Sequence, residues 1–295
     1  MNIRKWLEKN TESLYGKTVA ITGSTGGLGR ELCKYLAALG ASLILVDRNE
    51  ARSRAFGEEL VSLCPRTRVK TVCADLSHLS SVKAACEKLL TEDVDVFIHN
   101  AGAYSIPRYT TDVGYDNVYT INFISPYYII RTLLPKLEER RGKVVVVGSI
   151  AHRYSKSDPG DLDFSERKKA SLVYGNAKRY LMFSLYPLFK NSRATLSVTH
   201  PGISFTGITA HYPKALFAII KYPMKLIFMN PKKASLSLLR GVFDETEDGT
   251  WIGPRAFDVW GRPKKKRLRG VDEKERARIT AAAEMIYYSV KNKDV

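Results

Sequence analysis

The segment Thr22-Gly-Ser-Thr-Gly-Gly-Leu-Gly29 follows a β-branched run, Thr18–Thr22, and precedes residues 30–39, which have the apolar period of a helix. Glycines at such a strand-to-helix turn allow a tight bend and a close approach of the backbone to a pyrophosphate. The following helix offers unpaired N–H groups and the positive end of a dipole. We therefore predict a phosphate-binding loop, with a purely structural turn as the alternative. The predicted loop contacts are Gly23, Ser24, Thr25, Gly27, Leu28 and Gly29.

The same alternation of short apolar runs and helix-period segments continues along the chain. Five further runs have the composition of strands, at 42–46, 69–73, 94–98, 143–147 and 194–198. Helix-period segments occupy 51–63, 81–90, 114–139 and 172–189. Continuously apolar strands that alternate with helices imply a parallel sheet covered on both faces. The predicted fold class is α/β, a doubly wound, Rossmann-type parallel sheet forming a single domain over 1–295.

The chain has a large excess of basic residues. It contains 47 Lys and Arg against 30 Asp and Glu, a formal net charge of +17 at pH 7. This excess favours anionic partners, whether phosphate-bearing cofactors, acidic substrates, anionic lipid or nucleic acid, and a basic surface without a specific partner is the alternative. Nucleic acid is disfavoured because no recognisable binding module is present and the basic run lacks interleaved aromatic residues.

The cysteines indicate a reducing compartment. Cys33, Cys64, Cys73 and Cys86 form no C-x-x-C pair and have no nearby His at zinc spacing, so we predict no metal site. They fall within predicted helices and strands, as expected of reduced thiols in a cytoplasmic protein. Residues 1–17 are predicted to form an amphipathic helix rather than a secretory signal. No run of the sequence approaches the length of an apolar membrane span.

Acidic residues close the second and third predicted strands. Asp47 stands where a carboxylate can accept hydrogen bonds from the adenosine ribose and would repel a 2′-phosphate. Arg48 acts in the opposite direction, because a guanidinium can hold that phosphate. We predict that NAD is favoured over NADP. Asp75, which precedes Leu76, is a candidate contact to the adenine, and the alternative is that it caps the next helix.

Tyr174 and Lys178 are four residues apart in a predicted helix and therefore share one face. A phenol is a poor base near neutral pH because its ordinary pKa is about 10. A nearby ammonium stabilises the phenolate and makes the tyrosine competent for proton transfer. Alone, the Y-x-x-x-K spacing is common by chance and is more often a solvated helix face.

Four features together resemble the short-chain dehydrogenase/reductase family, classical type. They are the predicted phosphate-binding loop at residues 22–29 (the glycine loop), Asn100-Ala-Gly102, Ser149 and the Tyr174–Lys178 pair. The loop matches that family's T-G-x-x-x-G-x-G pattern, and the resemblance extends from about residue 18 to 205. It implies a catalytic tetrad of Asn122, Ser149, Tyr174 and Lys178. Tyr174 would be the acid/base, and Ser149 would hold the substrate oxygen. Lys178 would bind the nicotinamide ribose and lower the pKa of Tyr174, while Asn122 would position a relay water.

The resemblance also implies further cofactor contacts and a homo-oligomer. The implied contacts are Asn100, Ala101, Gly102, Tyr174, Lys178, Pro201, Gly202, Ile203 and Thr206. Segments 149–152 and 161–164 are similar to the retinol-dehydrogenase-like branch. The chain departs from the family in that His99 replaces an Asn often found before Asn100. In addition, the 25 positions between Ser149 and Tyr174 exceed the usual separation, so residues 153–171 are expected to loop out near the site entrance.

Two segments outside these motifs suggest a lipophilic environment. Residues 206–231, the expected substrate lid, are rich in Leu, Ile, Phe and Met, interrupted by lysines. They suit a retinoid, steroid or long-chain substrate or a membrane surface, with an oligomer interface or ordinary core as the alternative. Residues 261–295 are predicted to be a basic tail and a final helix. The basic run 263–269 is a solvated face by default, with anionic lipid or nuclear import as alternatives.

The sequence therefore predicts an oxidoreductase that transfers a hydride between NAD(P) and an alcohol or carbonyl group of a lipophilic substrate. We expect it in the cytoplasm, with peripheral association at a membrane surface as a hypothesis. The alternative is a catalytically silent dinucleotide-binding sensor or interaction protein. An intact tetrad argues against that alternative, because a silent scaffold has no chemical need for all four residues.

Overall fold

The computed structural model describes residues 2–202, 229–268 and 270–293. The strands in these ranges are β1 Thr18–Thr22, β2 Ser42–Asp47, β3 Val69–Cys73, β4 Val96–His99, β5 Lys143–Val147, β6 Thr195–Thr199, β7 Thr250–Ala256 and β8 Trp260–Arg267. They form one sheet in the order β3-β2-β1-β4-β5-β6-β7-β8. The strands from β3 to β7 run parallel, and β8 pairs antiparallel with β7.

Helices flank this sheet. Within the described ranges they are α1 Ile3–Asn10, α2 Gly27–Ala38, α3 Glu50–Leu63, α4 Leu79–Leu90, α5 Asn117–Tyr119, α6 Ser125–Glu139, α7 Ala170–Phe189, α8 Pro231–Phe243 and α9 Glu273–Lys291. A π-helical segment, Thr120–Ile124, joins α5 to α6. A 3₁₀ turn, Ile150–Arg153, follows β5.

Successive residues of the central strands face opposite layers. Val144 and Val146 of β5 pack with the cluster that contains α4, α6, α7 and α9. Val145 and Val147 pack with the cluster that contains α1, α2, α3 and α8. Both faces of the sheet are therefore buried, which explains why the strands are continuously apolar. The predicted doubly wound, single-domain fold is confirmed.

The strand order reverses between β1 and β4. In open α/β sheets this reversal places a crevice outside the carboxyl ends of the strands, where ligands bind. The turns after β1, β4, β5 and β6 all emerge at that edge of the sheet. The predicted site residues lie in these turns and in the helices that follow them.

The predicted basic tail is wrong for residues 261–267. They belong to β8, which forms a hairpin with β7 and closes one edge of the sheet. An edge strand exposed to solvent needs no apolar alternation, and lysines there discourage pairing with another chain. Pro263 is compatible with an edge strand, because a missing N–H costs little there.

The predicted N-terminal helix is present in part, and most of the predicted substrate lid is outside the described residues. Within 1–17 the helix is shorter than predicted and covers Ile3–Asn10, with Trp6 buried in the cluster that includes α8. Of the expected lid, residues 206–228 lie outside the described residues, and Met229 is buried.

Trp251 offers a test of the core beneath the hairpin. It is fully buried, with its ring stacked 5.0 Å from that of His200 and edge-on to His152 at 5.7 Å. Replacing Trp251 by Ala should lower the free energy of unfolding by about 3–5 kcal/mol, because it leaves a cavity between these rings. Urea denaturation measures the change. Trp260→Ala, on the neighbouring strand and 41% exposed, should cost less than about 1 kcal/mol. Equal losses would contradict the placement of Trp251 in the core.

Candidate active site

The glycine loop lies against the loop that follows β4. Gly23 has a φ of 71°, and a Cβ there would lie 2.9 Å from the Cα of Ala101. A Cβ on Gly29 would clash with the carbonyl oxygen of Gly23. The N-cap of α2, Gly26, provides no side-chain hydrogen bond, so the first N–H groups of the helix are available to an anion. The arrangement fits the pyrophosphate of NAD(P).

Hydrogen bonds join the carboxyl ends of β1 and β4. The Nδ2 of Asn100 donates to the carbonyl oxygens of Thr22 and Gly23 at 3.1 and 2.9 Å. The Oγ1 of Thr22 accepts from the main-chain N–H groups of Asn100 and Ala101, each at 3.1 Å. Asn100 and Ala101 thus hold the glycine loop in place. The predicted direct contacts of these two residues with the cofactor remain predictions.

Asp47 lies at the end of β2, as predicted, but its carboxylate is turned into the protein. One oxygen accepts from the hydroxyls of Ser24 and Ser53, and the other accepts from Thr25 through its N–H and hydroxyl, both at 3.2 Å. These four hydrogen bonds occupy the acceptor sites of a carboxylate. Arg48, by contrast, is exposed. Asp47 therefore orders the glycine loop and places a negative charge beside it.

Asp75 forms a local turn. Its carboxylate accepts from the N–H and hydroxyl of Ser77 at 2.9 and 2.6 Å. The first turn of α4 is capped instead by Asp112, whose carboxylate accepts from the N–H of Leu79 at 2.9 Å. Leu76 is buried. The predicted adenine contacts of Asp75 and Leu76 remain predictions, and the alternative that Asp75 caps α4 is wrong.

Tyr174 and Lys178 lie on the buried side of α7. Lys178 is 1% exposed, and its Nζ donates to the carbonyl oxygen of Val147 at 2.9 Å and lies 5.7 Å from the ring centroid of Tyr174. Burial lowers the pKa of Lys178 to about 7. Burial raises the pKa of Tyr174 to about 12, while a hydrogen bond with Ser149 opposes that rise. Tyr174 therefore keeps its proton near neutral pH, and Lys178, when protonated, places a positive charge beside it.

Ser149 is the N-cap of the 3₁₀ turn after β5. Its Oγ accepts from the N–H of Ala151 at 3.2 Å, and its hydroxyl hydrogen-bonds Tyr174. The ring Nδ1 of His152 lies 2.6 Å from the carbonyl oxygen of Ser149, and His152 is fully buried. The long separation between Ser149 and Tyr174 in sequence therefore does not keep the two hydroxyls apart.

Asn122 lies in the π-helical segment and is fully buried. Its Nδ2 donates to the carbonyl oxygens of Ala103 and Val118, both at 2.8 Å, and its Oδ1 accepts from the N–H of Ala103 at 3.3 Å. A Cβ on Gly102 would lie 2.8 Å from this Oδ1 and 3.7 Å from the Nζ of Lys178. The Asn122 side chain is therefore engaged in positioning residues 102 and 103. The predicted relay water at Asn122 remains a prediction.

The segment after β6 is described only in part. Pro201 and Gly202 are buried, and Gly202 has a φ of 82°. A Cβ there would lie 2.6 Å from the carbonyl oxygen of Val259, so this turn packs against the β7–β8 hairpin. Ile203 and Thr206, also predicted to contact the cofactor, lie outside the described residues.

Sequence reasoning missed Tyr104. Its ring meets that of Tyr174 edge-on with centroids 5.3 Å apart, and its charge when ionised would raise the pKa of Tyr174. Tyr104 follows Asn100-Ala-Gly102 by two residues, so proximity to that motif was the available signal. Tyr104 therefore packs directly beside the Tyr174 ring.

The sequence is similar to a family of known proteins. The profile of the short chain dehydrogenase family matches residues 17–158. Retinol dehydrogenase 14 of Mus musculus is 31% identical over 223 residues, covering 70% of this chain and 66% of that protein. Its counterpart in Homo sapiens is 30% identical over 277 residues, covering 83% of this chain and 82% of that protein.

A solved structure shares the fold. It is the crystal structure of a putative uncharacterized protein from Mycobacterium Paratuberculosis, 24% identical in sequence, with a TM-score of 0.72 and 97% of each chain covered. At this identity the similarity concerns the fold alone.

The glycine loop offers a paired test of cofactor binding. Gly23→Ala should weaken NADH binding by about 10- to 100-fold, because the added Cβ meets Ala101 and the left-handed backbone disfavours alanine. Gly26→Ala should change the affinity less than about threefold, because its Cβ would lie 3.5 Å from the nearest atom. Titration of protein fluorescence with NADH measures both. Similar losses in the two variants would contradict the role of Gly23.

Proposed function

Because this chain belongs to the short-chain dehydrogenase/reductase family, in its retinol-dehydrogenase-like branch, we propose that it transfers a hydride between NAD(P) and an alcohol or carbonyl group, with Tyr174 as the acid/base. One observation carries this proposal. Tyr174 is hydrogen-bonded to Ser149, with the Lys178 ammonium 5.7 Å from its ring, at the same sheet edge as the glycine loop. The combination provides a proton donor beside a dinucleotide site.

The proton chemistry follows from these contacts. Bound nicotinamide supplies or accepts the hydride. In carbonyl reduction, the Oη of Tyr174 donates its proton to the substrate oxygen while the Ser149 hydroxyl hydrogen-bonds that oxygen. The positive charge of Lys178 stabilises the phenolate that forms, and burial strengthens this attraction. In alcohol oxidation the same phenolate accepts the proton.

We propose that NAD is favoured over NADP. Asp47 keeps a carboxylate charge beside the glycine loop, and that charge repels a 2′-phosphate even though its acceptor sites are occupied by Ser24, Thr25 and Ser53. Exposed Arg48 acts in the opposite direction.

A lipophilic alcohol or carbonyl compound is the proposed substrate class. The apolar composition of residues 206–231 supports this proposal, and so do the relatives named as retinol dehydrogenases. The homo-oligomer implied by the family remains a prediction. The four cysteines are unpaired, which supports a reducing, cytoplasmic environment.

We also propose peripheral association with an anionic membrane surface. The proposed contact is the hairpin tip, which consists of exposed aromatic and basic residues: Arg255, Phe257, Trp260, Arg262 and Lys264. Phe257 is 86% exposed with a φ of 51°, an unusual backbone for a bulky residue. Aromatic and basic side chains together suit the interface of an anionic bilayer. Among the described residues, no helix combines the length and hydropathy of a membrane span.

Tyr174→Phe should abolish turnover, by about 100-fold or more, because it removes the transferred proton. The measurement is steady-state turnover of retinoid, steroid and aliphatic alcohols and carbonyls, with NAD(H) and NADP(H) in parallel. We expect kcat/KM to be higher with NAD(H).

The binding of NADH to Tyr174→Phe is the control. Retained binding with lost turnover supports the acid/base role of Tyr174. If the wild-type protein binds NADH but turns over no member of the panel, the result favours a catalytically silent dinucleotide-binding sensor over an enzyme. Higher kcat/KM with NADP(H) would overturn the cofactor proposal alone.

Replacing exposed side chains of the hairpin tip should reduce membrane binding. Phe257→Ser combined with Arg262→Glu and Lys264→Glu should lower the fraction bound to phosphatidylserine-containing vesicles at least about fivefold, because two charges are reversed near the surface. Tyr15→Ser, which removes an 80% exposed aromatic residue that precedes β1 at the amino ends of the parallel strands, should bind as the wild type does. Sedimentation with vesicles at low salt measures the fraction. Absence of wild-type binding, or an unchanged fraction in the triple variant, would overturn this contact.

A further inference from the structure

Arg179, the residue after Lys178 on α7, has a buried guanidinium. The side chain is 4% exposed, and its Nε and Nη2 donate to the two carboxylate oxygens of Glu275 at 2.8 and 2.6 Å. Its Nη1 donates to the carbonyl oxygen of His152 at 2.9 Å, and its Nη2 also donates to that of Gly270. A bidentate arginine–carboxylate pair with two further acceptors has little freedom to change its geometry.

Glu275 connects this arginine to a second segment. It lies in the first turn of α9 and is 4% exposed. Its Oε1 accepts from the N–H and the hydroxyl of Ser157 at 2.8 and 2.9 Å. Ser157 belongs to the long insertion between Ser149 and Tyr174. The Glu275 carboxylate therefore connects α9 and the inserted loop, residues 153–171, to the helix that carries Tyr174 and Lys178.

His152 completes the connection to Ser149. Its carbonyl oxygen accepts from Arg179, and its ring and main-chain nitrogens lie 2.6 and 3.2 Å from the carbonyl oxygen of Ser149. The ring is also enclosed by Phe183 and Trp251. The turn that orients the Ser149 hydroxyl toward Tyr174 is thus held at His152 by Arg179.

Glu275 is ionised near neutral pH. Although burial acts to raise it, hydrogen bonds from Arg179 and Ser157 lower the pKa of Glu275 to about 2. The carboxylate therefore keeps its charge over the pH range in which the enzyme would be assayed. Breaking the pair by removing one partner leaves an uncompensated buried charge, which displaces the groups around it.

We propose that Arg179 and Glu275 are positioning residues, which hold the Ser149 hydroxyl against Tyr174 and so make α9 a necessary support of the active site. This proposal rests on the proposed function, because its readout is turnover. Neither residue contacts the reacting atoms. Their effect is transmitted through His152 to Ser149, and through Ser157 to the inserted loop.

A second ion pair provides a matched control. Glu284, also on α9, accepts from Arg131 at 2.9 Å and from the hydroxyl of Tyr127 at 2.5 Å, both on α6. It anchors the same helix but has no connection to Ser149. Glu275→Gln should lower kcat about 10- to 100-fold, with a dissociation constant for NADH within about threefold of the wild type. Glu284→Gln should leave kcat within about twofold and should lower Tm less than Glu275→Gln does, because Glu284 is partly exposed.

The pH profile separates positioning from a general loss of structure. Ser149, Lys178 and Tyr104 are the polar or charged groups that the described contacts place beside Tyr174, and His152 connects Ser149 to this ion pair. Without the hydrogen bond from Ser149 the pKa of Tyr174 rises, because the phenolate loses a donor. The acidic limb of kcat for alcohol oxidation should then shift to higher pH by about 0.5–1 unit in Glu275→Gln and not in Glu284→Gln.

Ser149→Ala and Glu275→Gln can be combined in a double-mutant cycle. Ser149→Ala should produce the same shift, and Glu275→Gln should add little to kcat or to the shift in the Ser149→Ala background. Arg179→Lys keeps the charge but not all four hydrogen bonds, so it should act in the same direction with a smaller effect. Arg179→Lys is the substitute variant for these measurements if Glu275→Gln does not fold.

Three outcomes would overturn the proposal: equal losses of kcat in Glu275→Gln and Glu284→Gln, an unshifted acidic limb, or additive effects with Ser149→Ala. Turnover by the wild-type protein distinguishes this failure from that of the proposed function. If the wild type is active and loses activity on Tyr174→Phe, the function stands whatever the outcome at Glu275.

Discussion

The amide of Asn100 bonds two successive carbonyl oxygens at the end of β1, and the rest of the site depends on this bridge. It brings the backbone of Ala101 so close to residue 23 that only glycine fits there. Because residue 23 then takes a left-handed backbone, the chain turns sharply and α2 starts with its N–H groups directed to the crevice. The reversal of strand order between β1 and β4 makes this approach possible, since no crossover helix covers the gap.

Lys178 imposes the second constraint. It is buried with the Val147 carbonyl oxygen as hydrogen-bond acceptor, and no carboxylate among the described residues forms an ion pair with it. A buried ammonium without a counter-charge is costly, which is why its pKa falls to about 7. Any negative charge that enters the crevice would favour the ammonium form. Binding of an anionic dinucleotide would therefore also promote the charge state that stabilises the phenolate of Tyr174.

The sequence predicted the central strands well because each must be apolar on both faces, a pattern that few other structures share. It did not predict β7 or β8. The edge strand β8, Trp260–Arg267, has no burial requirement, so its basic residues resemble those of a solvated tail. Charge and motif placed Asp47 at the correct strand end but could not reveal its hydrogen bonds, because Ser53 approaches only after α3 folds back. Likewise, Arg179 and Glu275 are 96 positions apart in the sequence, and no local sequence pattern predicts their contact.

His99 illustrates how a departure from the family pattern is accommodated. The Oγ1 of Thr22 already accepts two main-chain N–H groups, so both its lone pairs are used. Its own proton must therefore go to the Nδ1 of His99, 3.1 Å away, which makes that nitrogen an acceptor. The ring proton then resides on Nε2, which has no partner among the described residues. Burial, and next the charge of Lys178, hold the pKa of His99 well below its ordinary value. The imidazole consequently stays neutral, so that Lys178 can carry the positive charge of this part of the site without a second cation beside it.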